Sequence, residues 1–121
     1  MLTIPAAVGE VADKLTILQI KRERVRDPDQ LAYVVREQDL LQTALAPLRR
    51  AYPRLEAMLS DLLAVNLALW DLEDLVRRDQ AEEDLLAYFK YIRDLNDDRA
   101  RAKLAINVLT ASQLREVKQH A

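Results

Sequence analysis

Residues 65–74 read VNLALWDLED and lie in the middle of a segment where leucines recur every three or four residues. This spacing is typical of one face of an amphipathic α-helix, so the segment predicts a long helix from about Arg54 to Arg78. The apolar face of that helix carries Leu55, Leu59, Leu62, Leu69, Leu72 and Val76. Asn66 and Glu73 fall on the same face, where a helix of a globular protein normally presents apolar side chains. These two polar positions are therefore candidates for a structural or functional role.

The same periodicity recurs along the rest of the chain and predicts three further helices. Asp27-Pro28-Asp29 should end the first helix, and Asp29 is a suitable N-cap for the second. Pro47 should end or kink the second helix, whereas Pro53 suits the first turn of the third. The predicted bounds are about Val8 to Arg26, Gln30 to Pro47, Arg54 to Arg78 and Glu82 to Ala111.

The two ends of the chain are predicted to differ from the helical body. Residues 2–5 should form a short extended lead-in, because Pro5 disfavours helical backbone at Ile4. Beyond the fourth helix, Ser112 is predicted to cap a short final turn, unless the tail frays.

The composition favours helices over strands. The chain has one Gly and four Pro, so it has little turn material, and its β-branched residues are too scattered to build a sheet. A length of 121 residues matches one domain. We therefore predict a single all-α domain over residues 1–121, an antiparallel bundle of about four helices in which helices three and four are long.

Charge and residue usage exclude several classes of function. The 18 basic and 20 acidic residues give a net charge of −2, so we expect no binding to nucleic acid or to an anionic membrane. No apolar run reaches the ~18 residues that span a bilayer, and residues 1–10 lack the features of a secretory signal, so a cytoplasmic protein is expected. The chain has no cysteine and its single histidine is His120, which disfavours metal sites and histidine-based triads. No metal or other cofactor is predicted.

Helix four carries polar residues inside an apolar row. Positions 85, 89, 92, 96, 99, 103 and 106 share one face, and three consecutive turns of it hold Asn96, Arg99 and Lys103. A neighbouring row of positions 88, 92, 95, 99, 102, 106 and 109 also passes through Arg99, so this side chain should face inward in either register. Lys14 and Lys21 lie along one row of helix one. The cations of helices one and four are therefore predicted to share the bundle interior.

The candidate site is a polar cluster that combines these cations with residues of helix three. Trp70 and Asp74 flank the helix-three row, and Asp13 lies beside the lysine row of helix one. The candidate residues are Lys14, Lys21, Asn66, Trp70, Glu73, Asp74, Asn96, Arg99 and Lys103.

Two interpretations of this cluster stay open. In the first, Glu73 or Asp74 pairs with Arg99 and another carboxylate pairs with Lys103, in a network that sets helix order and register. In the second, the cations bind a small anionic ligand through its carboxylate or phosphate, and a nearby Glu acts as general acid or base. Trp70 then either fills the core or stacks on that ligand. Whether the protein is an enzyme is left open.

Several ordered motifs give the chain a resemblance to a bacterial family. The motifs are residues 4–5 (IP), 8–10 (VGE), 13–21 (DKLTILQIK), Asn66 with 69–74 (LWDLED), and 95–97 (LND) with Arg99 and Lys103. Over nearly its whole length the chain resembles the bacterial domain of unknown function 6165 family. The resemblance implies a small helical protein associated with glycosyltransferase or surface-polysaccharide genes, with no established activity. Gln19 stands where the family has Glu, and Ala7 where it has a capping Ser, which argues against a catalytic acid at position 19.

We therefore predict a non-enzymatic helical module that forms a homodimer or docks on a partner protein. Long helices three and four would leave apolar rows partly uncovered in a monomer, and a two-fold dimer is the commonest way to cover them. The alternative is a small-molecule binding protein or a helical-bundle enzyme that uses Arg, Lys and Glu in the bundle interior.

Overall fold

Four α-helices build the protein, and the predicted all-α bundle is confirmed. The computed structural model describes residues 2–78 and 81–120, with side chains as far as residue 110. The helices are α1 Val8–Arg24, α2 Pro28–Ala51, α3 Leu55–Arg78 and α4 Glu82–His120. Within these described ranges no residue is in a β-strand. None of the described helices combines the length and the low polarity that crossing a membrane requires.

The helix α1 is the central element of the bundle. It packs against each of the other three helices, whereas α3 and α4 form the most extensive helix pair. α2 lies against α1 and makes only sparse contact with α3. Seven of the 17 residues of α1 are buried, against three of the 24 residues of α2. A polar side chain on α1 is therefore in a position to contact several helices at once.

α1 ends at Arg24, two residues before the predicted Arg26. Val25 leaves the helical backbone, with φ −75° and ψ 131°, while its N–H still donates to the carbonyl of Lys21 at 2.7 Å. The chain is extended at Val25 and again at Asp27, the residue directly before Pro28, where a proline disfavours helical backbone.

α2 begins two residues earlier than predicted. Asp27, rather than Asp29, is its N-cap, and the Asp27 carboxylate accepts a hydrogen bond from the backbone N–H of Asp29 at 3.2 Å. Pro28 follows at the first helical position, where its missing N–H is not needed for a helical hydrogen bond.

Pro47 does not end α2, which continues to Ala51. A proline inside a helix removes one backbone hydrogen bond and crowds the preceding turn. Here the flanking leucines keep the helix against the core, because Leu45 is buried and Leu48 packs on the main hydrophobic cluster. Tertiary burial therefore outweighs the local effect of Pro47.

The helix α4 is longer than predicted. α4 begins at the predicted Glu82, but its backbone stays helical past Ala111 to His120. No glycine or proline follows Pro53 in the sequence, so nothing local ends the helix at Ser112. The predicted capping role of the Ser112 side chain lies outside the described side chains. Residues 2–7 precede α1 without helical structure, and the backbone of Ala7 is extended.

The hydrophobic core lies where α1, α3 and α4 meet. Its buried cluster consists of Ala12, Leu55, Leu59, Leu62 and Ile106. Partly buried side chains pack around this cluster, among them Val8 from the start of α1 and Met58 from the start of α3. The core therefore joins the beginnings of α1 and α3 to the later turns of α4.

α1 and α4 come close together at Gly9, the single glycine of the chain. The Gly9 N–H donates to Oδ1 of Asn107 at 2.7 Å. A Cβ atom added at this position would lie 2.8 Å from the same Oδ1 and nearer still to the backbone carbonyl oxygen of Lys103. Glycine is therefore needed here for helix packing.

We expect Gly9→Ala to lower the free energy of unfolding by about 1–3 kcal/mol, because the added methyl group must push α4 away. The higher helix propensity of alanine, worth about 1 kcal/mol, acts in the opposite direction. Urea unfolding measures the difference. Glu23→Ala, at an exposed position of the same helix, is the control and should change stability by about 0.5 kcal/mol or less. A Gly9→Ala variant as stable as the wild type would contradict the packing argument.

Candidate functional site

The polar cluster inside the bundle is built around Asp13 of α1. The Asp13 side chain is only 6% exposed and accepts two hydrogen bonds from the guanidinium of Arg99 on α4. Nε donates to Oδ1 at 2.9 Å, and Nη2 donates to Oδ2 at 2.5 Å. Two parallel charge-assisted bonds give this contact both strength and a defined orientation. The pair therefore ties α1 to α4.

α3 joins the cluster through Asn66, which is also buried. Its Nδ2 donates to Oδ1 of Asp13 at 2.9 Å and to Oγ1 of Thr16 at 2.8 Å. The Thr16 hydroxyl in turn donates to the backbone carbonyl of Asp13 at 2.7 Å. An apolar residue in place of Asn66 would remove a donor from two buried acceptors, which is unfavourable. This explains the asparagine in VNLALWDLED.

A second cation of α4 completes the cluster. Nζ of Lys103 lies 2.7 Å from Oε1 of Glu10 and 4.0 Å from Oδ2 of Asp13. Two carboxylates from α1 therefore face two cations from α4, and their formal charges cancel. The Lys103 side chain is 22% exposed and that of Glu10 is 61% exposed, so this end of the cluster reaches solvent.

The cluster changes the ionisation of its central pair. Burial alone would raise the pKa of Asp13, because the carboxylate loses hydration. Hydrogen bonds from Arg99 and Asn66 favour the charged carboxylate, as do the positive charges of Arg99 and Lys103, and the net effect is a lowered pKa. The hydrogen bond to Asp13 raises the pKa of Arg99 despite partial burial, with smaller contributions from the charges of Asp13, Glu10 and Glu73. Both groups are therefore held in their charged forms.

The acids of α3 occupy a different place from the one expected. Arg99 pairs with Asp13 instead of with Glu73 or Asp74. Glu73 is exposed, whereas Asp74 is half-buried with Oδ1 3.7 Å from Nη1 of Arg77. The helix-three row is buried only as far as Leu69, because beyond that point it turns from the core towards solvent.

The remaining predicted residues are exposed or half-buried. Lys14 is exposed, and its Nζ lies 2.6 Å from Oε1 of Glu37 on α2. Lys21 and Trp70 are half-buried, and Asn96 is exposed. Of the nine predicted residues, the structure gives contacts within the cluster to Asn66, Arg99 and Lys103. Whether Trp70 fills the core or stacks on a ligand stays a prediction.

Burial along α4 distinguishes between its two predicted rows. Phe89 and Asn96, which belong to the first row, are exposed. Tyr88, Leu95, Ala102 and Leu109, which belong to the second row alone, are half-buried. The second row faces inward, and Arg99 lies on it.

Sequence reasoning missed Asp13, Thr16 and Glu10 as members of the cluster. The leucine row of α1 predicts one buried face, but α1 is buried on more than one side. A second row at 4-3-4 spacing, Gly9, Asp13, Thr16 and Ile20, is also buried. Its small and polar residues were the available signal for a helix that contacts several partners.

A polar cleft with a volume of about 370 Å³ opens beside the cluster, between α1, α2 and α3. Thr16, Gln38 and Ser60 contribute neutral polar groups to its walls. Arg49 lies at the cleft too, and its guanidinium makes two hydrogen bonds to the Glu56 carboxylate at 2.7 and 2.8 Å. The cleft follows from the sparse contact between α2 and α3, and its cation is already paired.

An apolar groove lies on the other side of the bundle, between the start of α3 and the later turns of α4. We call it the α3–α4 groove, and its volume is about 560 Å³. Its lining residues are Arg54, Met58, Arg101, Leu104, Ala105, Val108 and Leu109. Leu104 and Val108 lie one turn apart on α4 and are 62% and 60% exposed.

Comparisons with known proteins do not identify the chain. No family model, no curated protein and no solved structure matches it. The resemblance to the domain of unknown function 6165 family therefore stays a prediction. Among residues 2–78 and 81–110, no group of three or more His, Cys, Asp and Glu side chains is arranged to hold a metal ion.

We expect Asp13→Asn to lower the free energy of unfolding at pH 7 by about 2–3 kcal/mol. This is less than the ~3–5 kcal/mol typical of breaking a buried pair, because the Arg99 side chain is 31% exposed. Since the folded-state pKa of Asp13 is lowered, its stabilisation is complete above the unfolded pKa of about 3.9 and is lost as the pH falls through the folded-state pKa. The difference between wild type and variant should therefore shrink below about pH 4.

Urea unfolding of both proteins between neutral and acidic pH measures this difference. Asp97→Asn, at an exposed position of α4, is the matched control and should track the wild type at every pH. A difference for Asp13→Asn that stays constant down to the acid-unfolded range would refute the assigned ionisation.

Proposed function

We propose that the protein is a non-enzymatic helical module that self-associates through the α3–α4 groove. The observation that carries this proposal is the exposure of Leu104 and Val108, 62% and 60%, above an apolar groove whose far wall includes Met58. Contiguous exposed apolar surface of this kind marks interaction sites on soluble proteins. Covering a large aliphatic side chain contributes about 1.5–3 kcal/mol when its burial is complete.

A second copy of the chain is the proposed occupant of this surface. A two-fold dimer buries the same surface of both copies, so each copy can cover the apolar groove of the other. The charge at the rim is compatible with this arrangement, because Arg101 at the groove is paired with Asp98. Two copies therefore meet with little net repulsion from that part of the rim.

The closed charge balance of the interior supports a structural role for the polar cluster. Arg99 and Lys103 already have carboxylate partners in Asp13 and Glu10. An anionic ligand would have to displace Asp13 from a bidentate contact and leave its buried charge unpaired, which is costly. An anionic-ligand site or an enzyme in the bundle interior therefore has weaker support than self-association. Docking on an enzyme of surface-polysaccharide synthesis stays a prediction from the family resemblance.

We expect the wild-type protein to behave as a dimer of twice the 13.9 kDa chain mass at micromolar concentration. Leu104→Glu and Val108→Glu should each shift it to the monomer, because burying a carboxylate in an apolar interface is strongly unfavourable. Size-exclusion chromatography with light scattering measures the mass. Leu40→Glu is the matched control, since Leu40 is an exposed leucine of α2, 48% accessible and outside the groove, and this variant should stay dimeric.

Circular dichroism of the same variants checks that each one remains helical. A wild-type protein that stays monomeric at the highest soluble concentration would refute the proposed function. A dimer that Leu104→Glu and Val108→Glu leave intact would place the interface elsewhere and refute the assigned surface.

A further inference from the structure

We infer that residues 2–7, called here the N-terminal arm, dock in the α3–α4 groove of a second copy of the chain. The inference rests on the proposed self-association and adds the segment that fills the groove. In the single chain, Leu2 is 94% exposed and Ile4 is 77% exposed. Two large aliphatic side chains are thus presented to solvent on a segment that makes no helix of its own.

The arm and the groove lie at the same end of the molecule. Gly9, two residues after the arm, packs on α4 at Lys103 and Asn107. Those residues immediately precede Leu104 and Val108, which border the groove. An extended segment of six residues reaches about 20 Å, far enough to cross from α1 of one copy to the groove of a neighbour seated on the same face.

The chemistry of the arm matches that of the groove. No residue of the arm has a charged side chain, so its entry removes no side-chain charge from water. The groove offers Met58, Leu104, Val108 and Leu109 as apolar contacts for Leu2 and Ile4. An apolar segment and an apolar groove, each exposed in the single chain, become covered by the same contact.

The backbone of the arm is suited to binding in an extended form. Pro5 disfavours helical backbone at Ile4, and Ala7 has extended backbone, with φ −67° and ψ 143°. A segment that is already restricted loses less conformational entropy when it binds.

Reciprocal exchange of N-terminal arms between two copies gives a closed dimer. Each copy donates one arm and accepts one arm, so a two-fold axis satisfies both grooves and leaves none open for a third copy. The same exchange explains why Leu2 and Ile4 are exposed in the single chain, since their proposed partner belongs to the other copy.

Disulfide trapping tests the inference with no background, because the chain has no cysteine. Ile4→Cys and Val108→Cys are made as two separate variants, mixed, unfolded and refolded together, and then oxidised. A disulfide between the two variants joins different chains by construction, and mass spectrometry distinguishes it from the two homodimeric products. Ile4→Cys mixed with Leu40→Cys is the matched control, because Leu40 is exposed on α2 outside the groove.

The expected result is a mixed Ile4→Cys/Val108→Cys disulfide in large excess over the control pair. The double variant carrying both cysteines in one chain should then give covalent dimers. If that double variant instead forms an intrachain disulfide and stays monomeric under denaturing conditions, the arm lies on its own groove and exchange is overturned.

A second variant separates this inference from the proposed function. Ile4→Asp should weaken dimerisation by about 10-fold or more, because the charged side chain cannot occupy the groove. Its monomer should keep the wild-type melting temperature, since Ile4 is exposed in the single chain. If Leu104→Glu disrupts the wild-type dimer and Ile4→Asp does not, the docking of the arm is refuted, whereas the proposed self-association is not.

Discussion

Burying a carboxylate is unfavourable unless its charge is balanced and its oxygens receive hydrogen bonds, and Asp13 meets both conditions with groups from two other helices. Arg99 of α4 supplies two charge-assisted bonds, and Asn66 of α3 supplies a third. All of these bonds form together only when α1, α3 and α4 share one axial register. The cluster therefore favours this arrangement over axially slipped alternatives.

The central position of α1 makes this selection possible. A helix at the edge of a bundle has one buried row, but α1 has apolar residues on one row and small or polar residues on another. Gly9 belongs to the second row and lets α4 approach, which brings Lys103 towards Glu10 and Asp13. Close packing and charge pairing are thus two parts of the same contact between α1 and α4.

The interior and the surface of the protein have opposite properties. Inside, each carboxylate of the cluster has a cationic partner, so the cluster presents no unbalanced charge to a ligand. Outside, Leu104 and Val108 border an apolar groove, and Leu2 and Ile4 are exposed on the non-helical N-terminal arm. Asn66, Arg99 and Lys103, which stood out as polar positions in the sequence, contact carboxylates of α1. The features behind the proposed self-association are exposed apolar side chains.

The sequence by itself determined the number of helices, their approximate bounds and the inward position of Arg99, because periodicity depends only on helical geometry. It also marked Asn66 as a buried polar residue. Only the tertiary structure decided that Asp13, and not Glu73, is the partner of Arg99. The periodicity of one helix does not reveal over what length its apolar row contacts other helices. The row through Asn66 leaves the core before Glu73. Tertiary packing also decided that α2 continues past Pro47, since the burial of Leu45 depends on residues distant in the chain.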